Sequence, residues 1–279
     1  MPEGLVADSV TGIVATSLRN PDVLALIDGR NGRVLRRTPI PESARHLALA
    51  SPGGPVLVPS ERADRLAQVS LPDGRVRATR VGAYPHDVTA AAGRLFVGDE
   101  RGASMSVIEP GQPVRMIRVA HQPGGLAAVD GGRAVAVVSV RERLLELYRT
   151  DTLRRVGSVP AGVGPTHVAT AGATLYVVDT AGDALLIFRR RPRLQLTRRY
   201  SLRGAPYGIA VDSRRGRLWV TLTRTNELLE LSTGSRPHLL RRFPAVRQPD
   251  TVAVDERTGR VFVTGTADGV LQLLDPPPG

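Results

Sequence analysis

Histidine and carboxylate side chains recur at one kind of position in this chain. Four of the five histidines lie at or next to short segments that lead into an apolar stretch: His46, His86, His121 and His167. Imidazoles and carboxylates that converge from separate segments can hold a divalent metal ion or act as acid and base. We take nine residues of these segments as candidate ligand-binding residues: Glu3, Arg45, His46, His86, Asp87, Thr166, His167, Tyr207 and Asp250.

The segments that carry these residues repeat along the whole chain. Each one, here called a join, begins with Pro or Ala and enters an apolar strand, as in PYGIAVD from Pro206 and PDTVAVD from Pro249. The third residues of the seven joins are Gly4, His46, Asp87, Gly125, His167, Gly208 and Thr251. Successive joins are 38 to 43 residues apart, which is typical of four-stranded propeller blades.

The repeat predicts an all-β fold, a single seven-bladed β-propeller domain over residues 1–279. Its clearest copy predicts strands over 208–211, 217–222, 227–231 and 238–243. Around Leu145 the spacing of apolar residues could also indicate a helix, but the repeat places strands over 144–149 and 153–159. The first strand of a propeller blade lines the central channel, so we expect the joins to gather at the channel mouth.

Two roles are open for the candidate residues. If the protein uses a cofactor, we expect one divalent metal ion held by His46, His86, Asp87 and His167. The first three come from neighbouring units and should meet more easily than His46 and His167, which are three units apart. No local motif such as HExxH or CxxC supports a metal. The alternative is that these groups bind only water in a wet channel and that no cofactor is needed.

The seventh unit has only three predicted strands, so its outer strand is missing. One interpretation is that the natural polypeptide extends upstream through a closing strand and an export signal that this chain lacks. The other is that the ring closes with a three-stranded blade. We expect the extension, because open sheet edges are normally protected. An extracytoplasmic or cell-surface location would follow, although the sequence also leaves a cytoplasmic one open.

Three strand pairs resemble a known repeat. LYVVDTAGDALLIF from Leu175, LFVGDERGASMSVIEP from Leu95 and VFVTGTADGVLQLLDP from Val261 are similar to the YVTN-type repeat, and the joins resemble those of the NHL-type repeat. The resemblance implies a propeller that is frequently exported in bacteria, with functions that range from scaffolds and binding proteins to lactonases and a streptogramin lyase. Only GRLWVTLT from Gly216 comes near the lyase repeats, so no lyase site residue can be assigned.

Arginine is placed regularly on the predicted outer strands. All 38 basic residues are Arg, and the formal net charge is +12. We call eight of them the rim arginines: Arg36, Arg37, Arg154, Arg155, Arg198, Arg199, Arg241 and Arg242. Such a rim could attract a polyanion, or it could simply deter edge-to-edge pairing. The low aromatic content, 4%, argues against recognition of nucleic acid by base stacking, and nothing indicates sequence-specific binding.

These observations favour a non-catalytic scaffold that binds a protein or small-molecule ligand at the channel mouth, or a polyanion at the rim. The alternative is a metal-assisted lyase or lactonase that acts at the same mouth. The chain has no cysteine, which excludes disulfides and thiolate chemistry. It also has no apolar run long enough to predict a transmembrane segment.

Overall fold

The computed structural model describes residues 1–277, which form 27 β-strands in seven sheets. Each sheet is one blade of a seven-bladed propeller, which confirms the predicted fold class. Residues 278–279 of the predicted domain lie outside the described residues.

Blades 1 to 4 follow one another along the chain, each with four strands. Blade 1 contains β1 (Pro2–Asp8), β2 (Ile13–Leu18), β3 (Val23–Asp28) and β4 (Val34–Pro39). Blade 2 contains β5 (Ala48–Leu49), β6 (Val56–Ser60), β7 (Arg65–Val69) and β8 (Val76–Arg80). Blade 3 contains β9 (Pro85–Ala91), β10 (Arg94–Asp99), β11 (Ser104–Ile108) and β12 (Arg115–Arg118). Blade 4 contains β13 (Pro123–Val129), β14 (Ala134–Ser139), β15 (Leu144–Arg149) and β16 (Arg155–Pro160).

The remaining blades continue the pattern until the last. Blade 5 contains β17 (Pro165–Ala171), β18 (Thr174–Asp179), β19 (Ala184–Arg189) and β20 (Gln195–Ser201). Blade 6 contains β21 (Pro206–Asp212), β22 (Arg217–Leu222), β23 (Glu227–Ser232) and β24 (Leu239–Pro244). Blade 7 contains β25 (Pro249–Asp255), β26 (Arg260–Gly265) and β27 (Val270–Leu274).

Consecutive strands pair antiparallel within every blade, so each join delivers its residues to the innermost strand. In blade 6 the register runs outward from Ala210 to Trp219, Glu230 and Arg241. The segment with helix-like spacing forms β15 and β16, as the repeat predicted. There the pairing of each strand with its neighbours decides the structure, because sheet contacts override a local helical pattern.

The apolar core lies between the blades rather than within them. The described residues form seven buried clusters, and each cluster is shared by two consecutive blades. Trp219, for example, packs with Val252 and Val261 between blades 6 and 7. A four-stranded sheet cannot bury both of its faces alone, so burial of this apolar surface holds the blades side by side.

Within residues 1–277, blade 7 has three strands, which confirms that prediction, and blades 7 and 1 close the ring without exchanging a strand. The hydroxyls of Thr251 and Thr264 donate hydrogen bonds to the carbonyl oxygen of Glu3, at 2.5 Å and 3.1 Å. Arg260 Nη1 donates to the carbonyl oxygen of Gly29 at 2.8 Å. Hydrogen bonds from side chains of blade 7 to backbone carbonyl oxygens of blade 1 therefore join the first and last blades. The part of the chain that is described contains no helix long and apolar enough to cross a membrane.

Candidate functional site

Three histidines from three blades meet at the join side of the channel. His46 precedes β5, His86 lies on β9 and His167 lies on β17. The Nε2 atoms of His46 and His167 are 3.1 Å apart, and the ring centroids of His46 and His86 are 4.7 Å apart. One ring nitrogen of each histidine lies within 4.8 Å of the other two. All three side chains are buried, so they form one cluster rather than three separate solvent-facing groups.

Glycines in the neighbouring joins allow this convergence. A Cβ atom on Gly125 would lie 2.8 Å from the Cα of His167, and one on Gly208 would lie 2.6 Å from the carbonyl oxygen of Asp250. Neither position has room for a side chain, so the inner strands approach one another closely there. The channel is therefore narrow enough for His46 and His167 to touch although they are three blades apart. Blade order had led us to expect that His46 would meet His86 and Asp87 more easily than His167.

Asp87 does not join the three histidines. Its carboxylate accepts hydrogen bonds from the backbone N–H groups of Leu126 and Val88, both at 2.7 Å. It lines the wider part of the channel, a cavity of about 330 Å³ that His46 and His167 also border. Burial raises the pKa of Asp87 to about 6, although these two backbone bonds oppose the shift. Asp87 is therefore a channel-wall carboxylate. Two groups of side chains lie close enough to hold a metal ion: the three imidazoles, and Glu61 and Glu100 with His86.

Hydrogen bonds fix the orientation of two of the rings. The carbonyl oxygen of Tyr207 accepts from His167 Nδ1–H at 3.0 Å, and the Tyr207 ring packs edge-on against the His167 ring. The Glu61 carboxylate accepts from His86 Nδ1–H at 2.9 Å. Because Nδ1 carries the proton in each case, the neutral forms of both rings have a free lone pair on Nε2.

The histidine pair at the centre is held in its neutral form. Burial, followed by the neighbouring His167 and His86 rings, lowers the pKa of His46 well below its usual value. Burial also lowers the pKa of His167 to about 4, against the opposing effect of its bond to the Tyr207 carbonyl. Two neutral imidazoles can share one proton in a hydrogen bond, or they can both offer lone pairs to a metal ion.

Charged side chains form an ionic cluster beside His86. Arg45 donates to Glu61 Oε1 through Nε at 2.8 Å, and its Nη2 lies 3.6 Å from Glu100 Oε2. Burial opposes ionisation of Glu61, but the bond from His86 and the charge of Arg45 prevail and lower its pKa. Glu100 accepts from Gln122 through Oε1, whereas its Oε2 is buried and has no hydrogen-bond partner among the described residues.

Glu61 and Glu100 were missed by reasoning from the sequence, which considered only the joins. They directly follow β6 and β10, the second strands of blades 2 and 3. The residues at the same place in all seven blades are Arg19, Glu61, Glu100, Val140, Thr180, Thr223 and Thr266. Applying the repeat spacing to the ends of the second strands would have found both carboxylates.

The other predicted residues border a small cavity at the mouth. Its volume is about 120 Å³, and its walls are Glu3, Arg45, His46, Tyr207, Asp250, Thr251 and Thr266. Glu3 forms an ion pair with Arg19 at 3.1 Å. Burial raises the pKa of Asp250, and the nearby charge of Glu3 adds to that shift. Thr166 is adjacent in blade 5, where its hydroxyl lies 2.8 Å from that of Thr180.

We call the seven residues at the centre the mouth cluster: Arg45, His46, Glu61, His86, Glu100, His167 and Tyr207. The other two histidines lie away from it. His121 is exposed and its Nδ1 contacts Glu142, while His238 is exposed and contacts Ser232. They provide natural controls for the three that converge.

The rim arginines lie on or beside the outer strands, and all but Arg241 are exposed. Some of them neutralise buried glutamates of the third strands. Arg155 contacts Glu146 at 2.6 Å, and Arg241 contacts Glu230 at 2.6 Å. Arg242 pairs with the partly exposed Glu227 at 3.2 Å, and Arg199 donates to a backbone carbonyl. Within residues 1–277, no acidic side chain pairs with Arg36, Arg37, Arg154 or Arg198.

Known structures share this architecture at low sequence identity. Hydrazine synthase of Kuenenia stuttgartiensis is similar with a TM-score of 0.85 and 13% identity, over 99% of this chain and 96% of that chain. The Swd1 β-propeller domain of Myceliophteria thermophila has a TM-score of 0.83 and 12% identity, over 99% and 96%. Virginiamycin B lyase of Staphylococcus aureus has a TM-score of 0.78 and 13% identity, over 98% and 94%.

No protein-family model matches the chain, and no curated protein matches it in sequence. At such low identity the structural similarities establish the β-propeller fold and nothing finer. The similar structures include proteins named as enzymes and one named as a propeller domain. The fold therefore does not choose between catalysis and binding, and only the residues of the site can distinguish them.

Proposed function

We propose that this protein is a non-catalytic binding propeller that takes a cationic ligand at the mouth of its channel. One observation carries the proposal: polar side chains from four blades converge on one small cavity at one end of the channel, where His46 is buried and the others are partly buried. Withdrawing polar groups from water costs free energy unless they hydrogen-bond or bind something. Convergence of this kind is typical of a ligand site.

The local charge favours a cation. Glu3, Glu61, Glu100 and Asp250 line or border the mouth, whereas Arg19 and Arg45 are the guanidinium groups that pair with them. The mouth is therefore acidic in a chain with a formal net charge of +12. The Oε2 of Glu100 has no hydrogen-bond donor among the described residues, and Arg45 Nη2, which lies 3.6 Å from it, also pairs with Glu61. Burial and the nearby charge of Glu3 raise the pKa of Asp250, which a bound cation would oppose.

The YVTN-like strand pairs are compatible with this proposal, because that resemblance implies binding proteins among its functions. We also propose an extracytoplasmic location on the same ground. The polyanion rim is a separate surface, since its arginines lie on the outer strands rather than at the mouth.

The proposal is tested by titration calorimetry with small probes. Arginine amide, tetramethylammonium and Zn²⁺ serve as cations, and inorganic phosphate and acetate as anions. We expect at least one cation to bind with a Kd below about 1 mM and about tenfold more weakly to Glu100→Gln, the size of effect expected for a charged hydrogen bond. Glu109→Gln, which alters a partly exposed carboxylate outside the mouth, should bind as the unmodified protein does.

Two outcomes would overturn the proposal. One is that no cation binds, or that cations bind equally to the unmodified protein and to Glu100→Gln. The other is that only phosphate or acetate binds and that Arg45→Met abolishes this binding.

A metal-assisted lyase or lactonase is the second candidate, and one observation favours it. Three histidine ligands fill three positions on a tetrahedral ion and leave the fourth free for water or substrate, as in catalytic zinc sites. Turnover of a simple γ-lactone by metal-loaded protein, lost in His167→Ala, would favour this candidate over non-catalytic binding.

A further inference from the structure

We infer that His46, His86 and His167 bind one divalent transition-metal ion through their ring nitrogens. This inference rests on the proposed function, because it identifies the cation that the mouth takes.

The distances suit a metal centre. Imidazole nitrogens bind zinc at about 2.0–2.1 Å, so two ligands on one tetrahedral ion lie roughly 3.4 Å apart. The Nε2 atoms of His46 and His167 are already 3.1 Å apart. All three candidate nitrogens lie within 4.8 Å of one another.

The proton positions also suit a metal centre. The Tyr207 carbonyl can only accept, so Nδ1 of His167 is the protonated nitrogen and Nε2 has the lone pair. In the same way, the Glu61 carboxylate fixes the proton of His86 on Nδ1. Without an ion, His46 Nε2–H donates to His167 Nε2. Binding of a metal ion would replace this hydrogen bond and require the His46 proton to move from Nε2 to Nδ1, so that the rings stay neutral and both Nε2 atoms act as ligands.

Groups behind the imidazoles complete the arrangement. A metal-bound histidine usually donates its other N–H to a carboxylate or a backbone carbonyl, which orients the ring and raises its basicity. His86 has the carboxylate of Glu61, and His167 has the carbonyl of Tyr207. Three neutral imidazoles leave the double charge of the ion uncompensated, and Glu61 and Glu100 supply negative charge beside them.

The donor set selects the class of ion. Imidazole nitrogen suits Zn²⁺, Co²⁺, Ni²⁺ and Cu²⁺, whereas Mg²⁺ and Ca²⁺ require oxygen ligands. No carboxylate belongs to the group of three histidines, and Asp87 is engaged with the backbone of Leu126. We therefore expect transition metals to bind and Mg²⁺ not to compete.

The test measures binding of Zn²⁺ and Co²⁺ to the whole chain after treatment with a chelator. We expect one equivalent of metal per chain, a visible absorption spectrum of tetrahedral Co²⁺, and no displacement by a thousandfold excess of Mg²⁺. His46→Ala and His167→Ala should each weaken binding at least 100-fold. His121→Ala and His238→Ala, which change the two exposed histidines, should leave it unchanged.

Folding is checked independently by far-UV circular dichroism and thermal unfolding, and His46→Gln and His167→Gln supply variants of similar volume if the alanine variants unfold. Absence of stoichiometric metal, or equal binding by the His46 and His121 variants, would overturn the inference. If arginine amide still binds in a Glu100-dependent way, the binding function stands and only the metal assignment fails. If neither metal nor arginine amide binds, both fail.

Discussion

The channel mouth and the outer rim both carry many polar residues, but these residues differ in burial and in their contacts. At the mouth, His46, His86 and His167 are buried and contact one another or fixed partners. At the rim, Arg36 and Arg154 are exposed. Two charges 4 Å apart interact by about 1 kcal/mol in water and by about 4 kcal/mol near a protein surface. Charged groups therefore interact more strongly where they are shielded from water at the mouth than where they are exposed at the rim.

An intermediate case lies between these two regions. Glu146 and Glu230 are buried on third strands, yet each is reached by a guanidinium group from the rim. Glu146 also accepts from the Tyr148 hydroxyl at 2.9 Å and the Ala120 N–H at 2.8 Å. Some rim arginines thus stabilise the blade interior, and others contribute only to the surface potential. Burial, rather than position at the mouth or the rim, therefore decides how much a polar group contributes. The substitutions below test this.

The largest effect is expected at the mouth. Glu61→Gln removes the charge behind His86 while it keeps the shape of the side chain. We expect metal affinity to fall roughly 10- to 100-fold, because partners of this kind orient a ligand and raise its basicity. Competition with a coloured chelator measures the loss. Equal affinity in Glu61→Gln and Glu109→Gln would mean that Glu61 does not position His86.

A buried carboxylate without a cation should make stability depend on pH. Asp99 is fully buried and accepts hydrogen bonds from the hydroxyls of Ser104 at 2.7 Å and Ser106 at 2.9 Å. Burial raises its pKa to about 6, against the effect of these bonds.

Because the folded pKa of Asp99 exceeds the unfolded value of about 3.9, its protonated form favours folding. That contribution is complete below about pH 4 and is lost as the pH rises through 6, with a total on the order of 3 kcal/mol. Urea unfolding of the unmodified chain and Asp99→Asn should therefore diverge over this range. Parallel pH profiles would show that Asp99 is not the group responsible.

Two adjacent rim arginines should differ in their contribution to stability. Arg155→Ala leaves the buried Glu146 carboxylate without its guanidinium partner, and we expect a loss of about 1.5 kcal/mol. Arg154→Ala removes an exposed side chain without an acidic partner and should change stability by less than about 0.5 kcal/mol. Urea midpoints at constant m-value measure both. Equal losses would erase the distinction between paired and unpaired rim arginines.

The smallest effect per substitution is expected for polyanion binding. If Arg36, Arg37, Arg154 and Arg198 contact a polyanion, each replacement by Ser should weaken heparin binding roughly fivefold at physiological salt and reduce the salt dependence by about one unit. Mouth variants such as His46→Gln should bind heparin normally. Heparin binding that does not depend on salt concentration would show that the rim does not bind heparin electrostatically.

Much of the fold was predictable because the local sequence of each repeat specifies its strands and turns. The apolar strands, their turns and the spacing of the joins identified seven blades and the three-stranded last blade. Strand β22 has the predicted bounds, and the helix-like segment forms β15 and β16. How the ring closes was not predictable, since Thr251 and Arg260 bond to backbone carbonyls far away in sequence.

The candidate site was predictable only in part. The joins identified the three histidines that converge, but blade order suggested that His46, His86 and Asp87 would meet more easily than His46 and His167. The contact of His46 with His167 depends on how closely the inner strands approach at Gly125 and Gly208. Glu61 and Glu100 were missed because they follow second strands, and their proximity to His86 arises from neighbouring blades.

The sequence by itself determined the number of blades, the strands of each blade and the residues that reach the channel. These properties depend on the local alternation of apolar and polar residues within each repeat and on the regular spacing between joins. Only the tertiary structure decided which polar groups touch, how their protons are placed and which arginines neutralise buried glutamates. Those outcomes depend on distances of a few tenths of an ångström across the ring, which are set by the packing of all seven blades together.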